Sequence, residues 1–291
     1  MPENSIQGLL VLDPARLAEL AHEHRDDFKA MEPFPHVVLD NLFPDSLLDS
    51  VLDEFPTPAD IEWTSFSDGA QKKLANQNES EIGPITRLLL YQLNSQTFIS
   101  FLEALTAIDG LLPDPHLGGG GLHQIERGGF LKVHSDFNWH PKLRLDRRLN
   151  LLLYLNRGWE EAHGGHLELW RPDMTKCERR ILPVFNRCVI FSTTDDTPHG
   201  HPEPLACPEG WTRKSLGLYY YTNGRPADER SPHHSSFFHK RPGEDYDFPK
   251  GLLGPRQQAI RSALLRWTPP IMVDAWNYCL LRLRNGRGYI P

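Results

Sequence analysis

Cysteine is scarce and badly spaced for pairing. Cys177, Cys188, Cys207 and Cys279 form no Cys-x-x-Cys, and four in a chain of 291 residues make no disulfide framework, so reduced thiols are expected. Positive charge is also short: 31 Lys and Arg face 38 Asp and Glu, and the net charge of −7 leaves no basic footprint for nucleic acid. No apolar run approaches the roughly 18 residues needed to span a bilayer. Met1-Pro2-Glu3-Asn4-Ser5 likewise lacks a basic region followed by an apolar stretch, so a cytoplasmic protein with no membrane partner is expected. Gly118-Gly119-Gly120-Gly121 is followed by no Lys-Ser/Thr, which excludes a phosphate loop and leaves a flexible connector.

What the chain does have is apolar material for a sizeable core, 39% of its residues, in two kinds of pattern. Residues 1–117 read as a mainly helical scaffold. Asp13-Pro14 sets a cap residue before a first-turn proline, Pro44 to Leu52 begins an amphipathic run, and Ile85 to Ile108 has room for one broken or two consecutive helices. Phe34 to Asp40 reads as an edge strand.

Residues 118–224 change period. Short strand candidates punctuated by turns fall near 122–125, 130–133, 149–156, 166–170, 179–182, 187–192, 199–203 and 213–222. Asn150 to Leu155 is almost continuously apolar, so that strand should be central and buried on both faces. The expected fold is α+β with a mainly β core: a double-stranded β-helix, or jelly roll, with N-terminal buttressing helices and a C-terminal helical extension. Residues 225–291 supply that extension, a long loop rich in Pro, Gly, His and charge, then helices near 255–267 and 272–284.

The chemistry concentrates at His134-Ser135-Asp136. A His-x-Asp pair is weak alone, since about one arises by chance in such a chain. His24-Arg25-Asp26 is one such pair, on what reads as a solvated helix face. His134 and Asp136 instead follow an extended stretch, and residues i and i+2 of a strand share a face, so both can reach one ion. Pro198-His199-Gly200-His201 supplies a further imidazole far downstream. Two imidazoles and one carboxylate can hold Fe(II) and leave adjacent positions open. His199 and His201 face the same side of an extended segment, and spacing does not separate them. Arg213 and Ser215 share one strand face and Lys214 takes the other, so only one of the two cations can point inward. An arginine fork fits a carboxylate bidentately.

In order, these motifs resemble the 2-oxoglutarate and Fe(II)-dependent dioxygenases, in the prolyl-4-hydroxylase-like branch. The resemblance covers about residues 118–224 and rests on four elements. They are His134-Ser135-Asp136; Leu153 to Asn156 with Trp159 and Gly164 to Leu167; Asp196-Thr197-Pro198-His199 with Pro204; and Arg213 ahead of Ser215. It implies that His134, Asp136 and His199 are metal ligands and catalytic, the proline before the ligand favouring His199, with His201 a supporting or substrate-side residue. It further implies that Arg213 and the Tyr154 hydroxyl hold the distal carboxylate of 2-oxoglutarate, with Ser215 beside them. The implied cofactors are Fe(II), 2-oxoglutarate as co-substrate and O2, with ascorbate as an optional reductant. The implied reaction is hydroxylation of a prolyl-like, amino-acid, natural-product or glycan substrate, small or within a peptide or protein.

Two other readings stand beside it. A cupin-like metal enzyme would use the same barrel without 2-oxoglutarate and would not need Arg213; a non-catalytic binding module would not need the triad. Tyr154 has an alternative role as core, and at least one of Tyr219, Tyr220 and Tyr221 should be plain packing. His123, His163, His166, His233, His234 and His239 fit no second metal and are read as solvated or rim residues. Arg147, Arg148 and Lys132 are candidates for holding an anionic substrate group, against a default of solvated rim charge. The C-terminal helices have three roles open: packing on the N-terminal helices, forming a dimer contact, or shaping the substrate entrance.

Overall fold

The structure is a computed structural model that describes residues 11–246. The helices expected near 255–267 and 272–284, Cys279 and any dimer contact through those helices lie outside the described residues.

The N-terminal scaffold begins with α1 (Pro14–Ala30), where the Asp13 carboxylate accepts from the backbone N–H groups of Ala15 and Arg16 and Pro14 fills the first turn. It continues with α2 (Asp45–Asp53), α3 (Pro84–Leu93) and α4 (Gln96–Thr106), so Ile85 to Ile108 resolves into two helices. His24 and Asp26 lie on α1, where Asp26 is exposed on the side away from buried Leu17, Ala21 and Phe28, whereas His24 falls on their stripe and is half-buried, not solvated as expected.

The strands are β1 (His36–Asp40), β2 (Thr64–Ser67), β3 (Gln71–Asn76), β4 (Leu112–Pro113), β5 (Gly121–Glu126), β6 (Phe130–Ser135) and β7 (Trp139–His140). There follow β8 (Leu145–Tyr154), β9 (Leu167–Trp170), β10 (Cys177–Ile181), β11 (Arg187–Ser192), β12 (His199–His201), β13 (Thr212–Thr222) and β14 (Phe237–Phe238). Every pairing is antiparallel, in the order β1-β11-β8-β13-β5-β3-β6-β12-β9-β10, which gives the jelly-roll architecture with β1 at an edge.

Strand β8 is central, flanked by β11 and β13. Its alternate residues Leu149, Leu151 and Leu153 join a cluster with Leu17, Phe28, Leu48, Leu90, Phe98 and Leu102 of the helices. Asn150, Leu152 and Tyr154 take the opposite face, toward the barrel interior. The helices therefore act as a buttress: truncating any one of these fully buried leucines to Ala should cost about 2–5 kcal/mol.

Three expectations need correction. Residues 1–117, expected to be mainly helical with one edge strand, also hold a hairpin of β2 and β3 whose second strand inserts between β5 and β6. Asp68 closes its turn by accepting from the N–H groups of Ala70 and Gln71. The glycine run is not a loose connector either: the Tyr219 hydroxyl donates to Gly119 O at 2.8 Å, and a Cβ on Gly120 would stand 2.5 Å from Gly217 O. Close backbone approach, not flexibility, requires glycine there.

The third concerns the segment after β13, expected to be a long loop: it is irregular over most of its described length, but its stretch from Phe237 to Glu244 is docked along β6. Phe237 pairs with Ser135 and Phe238 with His134, the His239 N–H donates to Val133 O, and Lys132 forms an ion pair with Glu244 at 2.6 Å.

Candidate metal and co-substrate site

His134 is the penultimate residue of β6, and Asp136 follows the strand's last residue, Ser135. His199 opens β12, which pairs with β6 so that His199 stands cross-strand from His134. The imidazole centroids are 4.5 Å apart, and one ligand atom from each of the three residues lies within 4.8 Å of the others. His134 Nε2 is 3.5 Å from one Asp136 oxygen and His199 Nε2 is 3.4 Å from the other. Each Nδ1 is 3.0 Å from the carbonyl two residues earlier, Lys132 O for His134 and Thr197 O for His199. An Nδ1–H donated to a carbonyl fixes the tautomer and aims the Nε2 lone pair inward.

The carboxylate is held as tightly. Asn150 Nδ2 donates to Asp136 Oδ2 at 2.7 Å and Arg147 Nη2 lies 3.0 Å from the same oxygen. Burial would push the Asp136 carboxyl up, but Arg147 and the two imidazoles outweigh it and hold it well below the usual carboxylate range. His199 moves the other way: burial lowers it to about 4, although Asp136 partly opposes this. The result is an ionised carboxylate beside a neutral imidazole, the protonation states that bind a cation. Two nitrogens and one oxygen with prepared supports also fit the donor chemistry of non-haem Fe(II).

A cavity of about 80 Å³ extends from this cluster and is lined by His134, Asp136, His199, Arg213, Ser215 and His201, among others. Arg213 enters it from β13. Its Nε donates to Gly165 O at 2.8 Å and its Nη2 to the Tyr154 hydroxyl at 3.2 Å, while the guanidinium carbon lies 4.8 Å from the Tyr154 ring centroid. Gly165, at φ +73°, makes the space: a Cβ there would stand 2.6 Å from Leu205 Cδ2 and 3.0 Å from Arg213 Cδ. Lys214 turns away, its Nζ donating to Thr212 Oγ1 at 2.6 Å and sitting 5.8 Å from the Phe55 ring centroid. Tyr154 is fully buried, and burial raises its hydroxyl pKa, opposed by Arg213.

His201 is separated from His199 by an irregularity in β12, where His199 pairs with His134 but His201 with Leu131. It lies outside the three-residue cluster, and neither of its buried ring nitrogens has a hydrogen-bond partner among the described residues. Of the three tyrosines on β13, Tyr219 lines the cavity, whereas Tyr220 packs against Phe98 in the helix-side core.

Several expectations about polar residues change. His123 is not a rim residue: it lines the cavity from β5, where burial and then Lys73 push it down to about 3. His166 and His239 are also engaged, with Glu161 at 2.7 Å and the Ser135 hydroxyl at 2.9 Å. Arg147 is no rim charge: it is fully buried, its guanidinium carbon 3.5 Å from the Tyr219 ring centroid and 4.3 Å from that of Phe137. Lys73, on the unexpected strand β3, also reaches the cavity. The Asp68-Gly69 turn between two short alternating segments was the signal that could have located it.

Residues 120–221 match the 2OG-Fe(II) oxygenase superfamily. The match spans the barrel strands β5 to β13. No curated protein matches the chain. Among solved structures, a prolyl 4-hydroxylase from Phytophthora capsici is 21% identical, with 72% of this chain and 65% of that one covered and a TM-score of 0.52, which shows the shared fold. A Pseudomonas putida prolyl-4-hydroxylase is 17% identical over 72% of this chain and all of its own, at TM-score 0.48. A Trichoplax adhaerens prolyl hydroxylase, solved with a hypoxia-inducible-factor peptide fragment, is 16% identical over 71% of this chain and 91% of its own, also at 0.48. No helix among the described residues is long and apolar enough to cross a membrane.

Proposed function

We propose that this chain is an Fe(II)- and 2-oxoglutarate-dependent dioxygenase that hydroxylates an unactivated C–H bond, with His134, Asp136 and His199 as the iron ligands. The observation that carries the reading is the convergence of those three ligand atoms within 4.8 Å, in a cavity that also contains the Arg213 guanidinium. Iron with 2-oxoglutarate supplies the oxidising chemistry: the keto acid loses CO2 to become succinate, one oxygen atom of O2 enters succinate and the other enters the substrate.

The protein's own work is positioning and exclusion. The two carbonyls behind the imidazoles fix their orientation, while Asn150 and Arg147 keep the Asp136 carboxylate ionised and still. Arg213 and the Tyr154 hydroxyl hold the distal carboxylate of 2-oxoglutarate, with Ser215 on the same strand face. A fork already anchored at Gly165 O loses little freedom when it binds that carboxylate. Leu152, Leu167 and Ile125 line the same cavity and exclude water from it.

The substrate is a small molecule or a peptide, and the prolyl hydroxylases among the similar structures make a prolyl group the nearest analogy. We place the protein in the cytoplasm, where free thiols persist and iron is kept ferrous. The test is direct. Under anaerobic conditions Fe(II) and 2-oxoglutarate added together should give the visible charge-transfer band of their chelate, and admitting O2 should release succinate. A protein that binds Fe(II) but gives neither band nor succinate would leave the cupin-like reading in its place.

A further inference from the structure

Charged groups near the cavity divide unevenly once their partners are assigned. Asp136 is the carboxylate of the cavity wall and is matched by Arg147. Arg213, only 4% exposed, belongs to the deep co-substrate end. Lys73 is left. It forms no ion pair with any described carboxylate, and its ammonium stands over the Phe66 ring, with the centroid 5.2 Å away.

The charged groups acting on Lys73 are Asp136 and Asp68, which attract it, and Arg147, which repels it. Burial lowers its pKa more than any of them, as expected for an ammonium brought into a cavity without a counter-ion. By contrast, Lys132 is bound to Glu244 at 2.6 Å and Arg148 to Glu229 at 3.1 Å, so the cations expected to hold an anion are already neutralised.

We propose that Lys73 is the receptor for an anionic group of the substrate, so that this site acts on a molecule carrying a carboxylate or phosphate near the hydroxylated carbon. The inference rests on the function proposed above. Position favours the substrate over the co-substrate: Lys73 lines the cavity half-buried on β3 and has no anchoring partner, whereas Arg213 is sealed within it and already anchored at Gly165 O and the Tyr154 hydroxyl. Charge agrees. With Asp136 matched by Arg147, Fe(II) and the doubly negative 2-oxoglutarate would cancel, so Arg213 and Lys73 remain in excess, and an anionic substrate offsets them.

The experiment uses the full chain loaded with Mn(II) and N-oxalylglycine, titrated with N-acetyl-L-proline, its neutral amide, and inorganic phosphate. The parent should bind the acid about tenfold more tightly than the amide, and Lys73→Met should abolish that preference while Lys73→Arg retains it. Affinity of the Mn(II) protein for 2-oxoglutarate should be unchanged in Lys73→Met. Equal binding of acid and amide by the parent, absence of saturable anion binding, or anion binding indifferent to position 73 overturns the proposal. A tenfold loss of 2-oxoglutarate affinity in Lys73→Met would overturn it too, by assigning Lys73 to the co-substrate. Failure of the function reading looks different: the parent would bind anions through Lys73 but no 2-oxoglutarate.

Discussion

His134 and His199 are cross-strand partners on β6 and β12, each with its Nδ1 3.0 Å from the carbonyl two residues before it. The same local geometry is used twice, so the two rings face one point although 64 residues of chain lie between them. The metal position is thereby set by strand pairing and by two main-chain hydrogen bonds, and only Asp136 depends on side chains for its placement.

Asn150 is therefore the support most exposed to test. Asn150→Ala removes the donor to Asp136 Oδ2 and frees Arg147, which also donates to Asn150 Oδ1. Metal affinity should fall by about 10- to 100-fold, the usual effect of losing a support behind a ligand. Calorimetric titration with Mn(II) would show it; an unchanged affinity would mean that Arg147 alone fixes the carboxylate. His134→Ala should remove metal binding altogether, and His201→Ala should not.

Co-substrate recognition should divide cleanly between neighbours on β13. Arg213→Ala should weaken 2-oxoglutarate by roughly 2–5 kcal/mol with metal binding unaffected, because the carboxylate loses its charged fork in a buried pocket. Arg213→Lys should recover part of this, and Lys214→Ala should match the parent. Succinate release against 2-oxoglutarate concentration at saturating metal distinguishes these outcomes.

Gly165→Ala tests the same pocket without removing a polar group. A Cβ at this left-handed position meets Leu205 and Arg213 and should cost about 1–3 kcal/mol in stability and displace the guanidinium. The melting temperature should fall and the 2-oxoglutarate dissociation constant should rise, with Mn(II) affinity unchanged. A variant that melts lower but binds 2-oxoglutarate normally would show that Arg213 tolerates the shift.

His123 gives a pH signature in the metal-free protein. Burial and Lys73 lower its pKa from 6.5 to about 3, so the folded state keeps it neutral while the unfolded chain takes up a proton. With more protons on the unfolded state, stability falls as pH drops below 6.5 and levels off only near the folded value. At about pH 5 the loss from this one group is about 2 kcal/mol. His123→Gln should flatten the melting profile between about pH 6.5 and 4, relative to the parent; an unchanged slope would assign it to other buried histidines.

Much of the site was legible because it rests on rules of strand geometry. Alternation put His134 with Asp136 and Arg213 with Ser215, and turned Lys214 outward, as found. The choice between His199 and His201 was not legible from spacing, because alternation fails at the β12 irregularity. There Gly200 packs against the β6 backbone, and a Cβ on it would stand 2.8 Å from Leu131 O. Lys73 and His123 were missed for another reason. Strand β3 is short, half-exposed and carries two adjacent lysines, so it lacks the apolar alternation that announces a strand, and its place between β5 and β6 is a long-range pairing that no local pattern encodes.

The stretch from Phe237 to Glu244 carries none of the three ligands, yet it lies along β6, the strand that carries His134, and is tied there by main-chain pairing, the Ser135–His239 contact and the Lys132–Glu244 ion pair. Metal geometry is thus partly inherited from sequence outside the barrel. Two chains with identical ligands and co-substrate arginine but different residues here would hold their iron at different stiffness, and substitutions in this strap are a route by which activity drifts while every active-site residue stays the same.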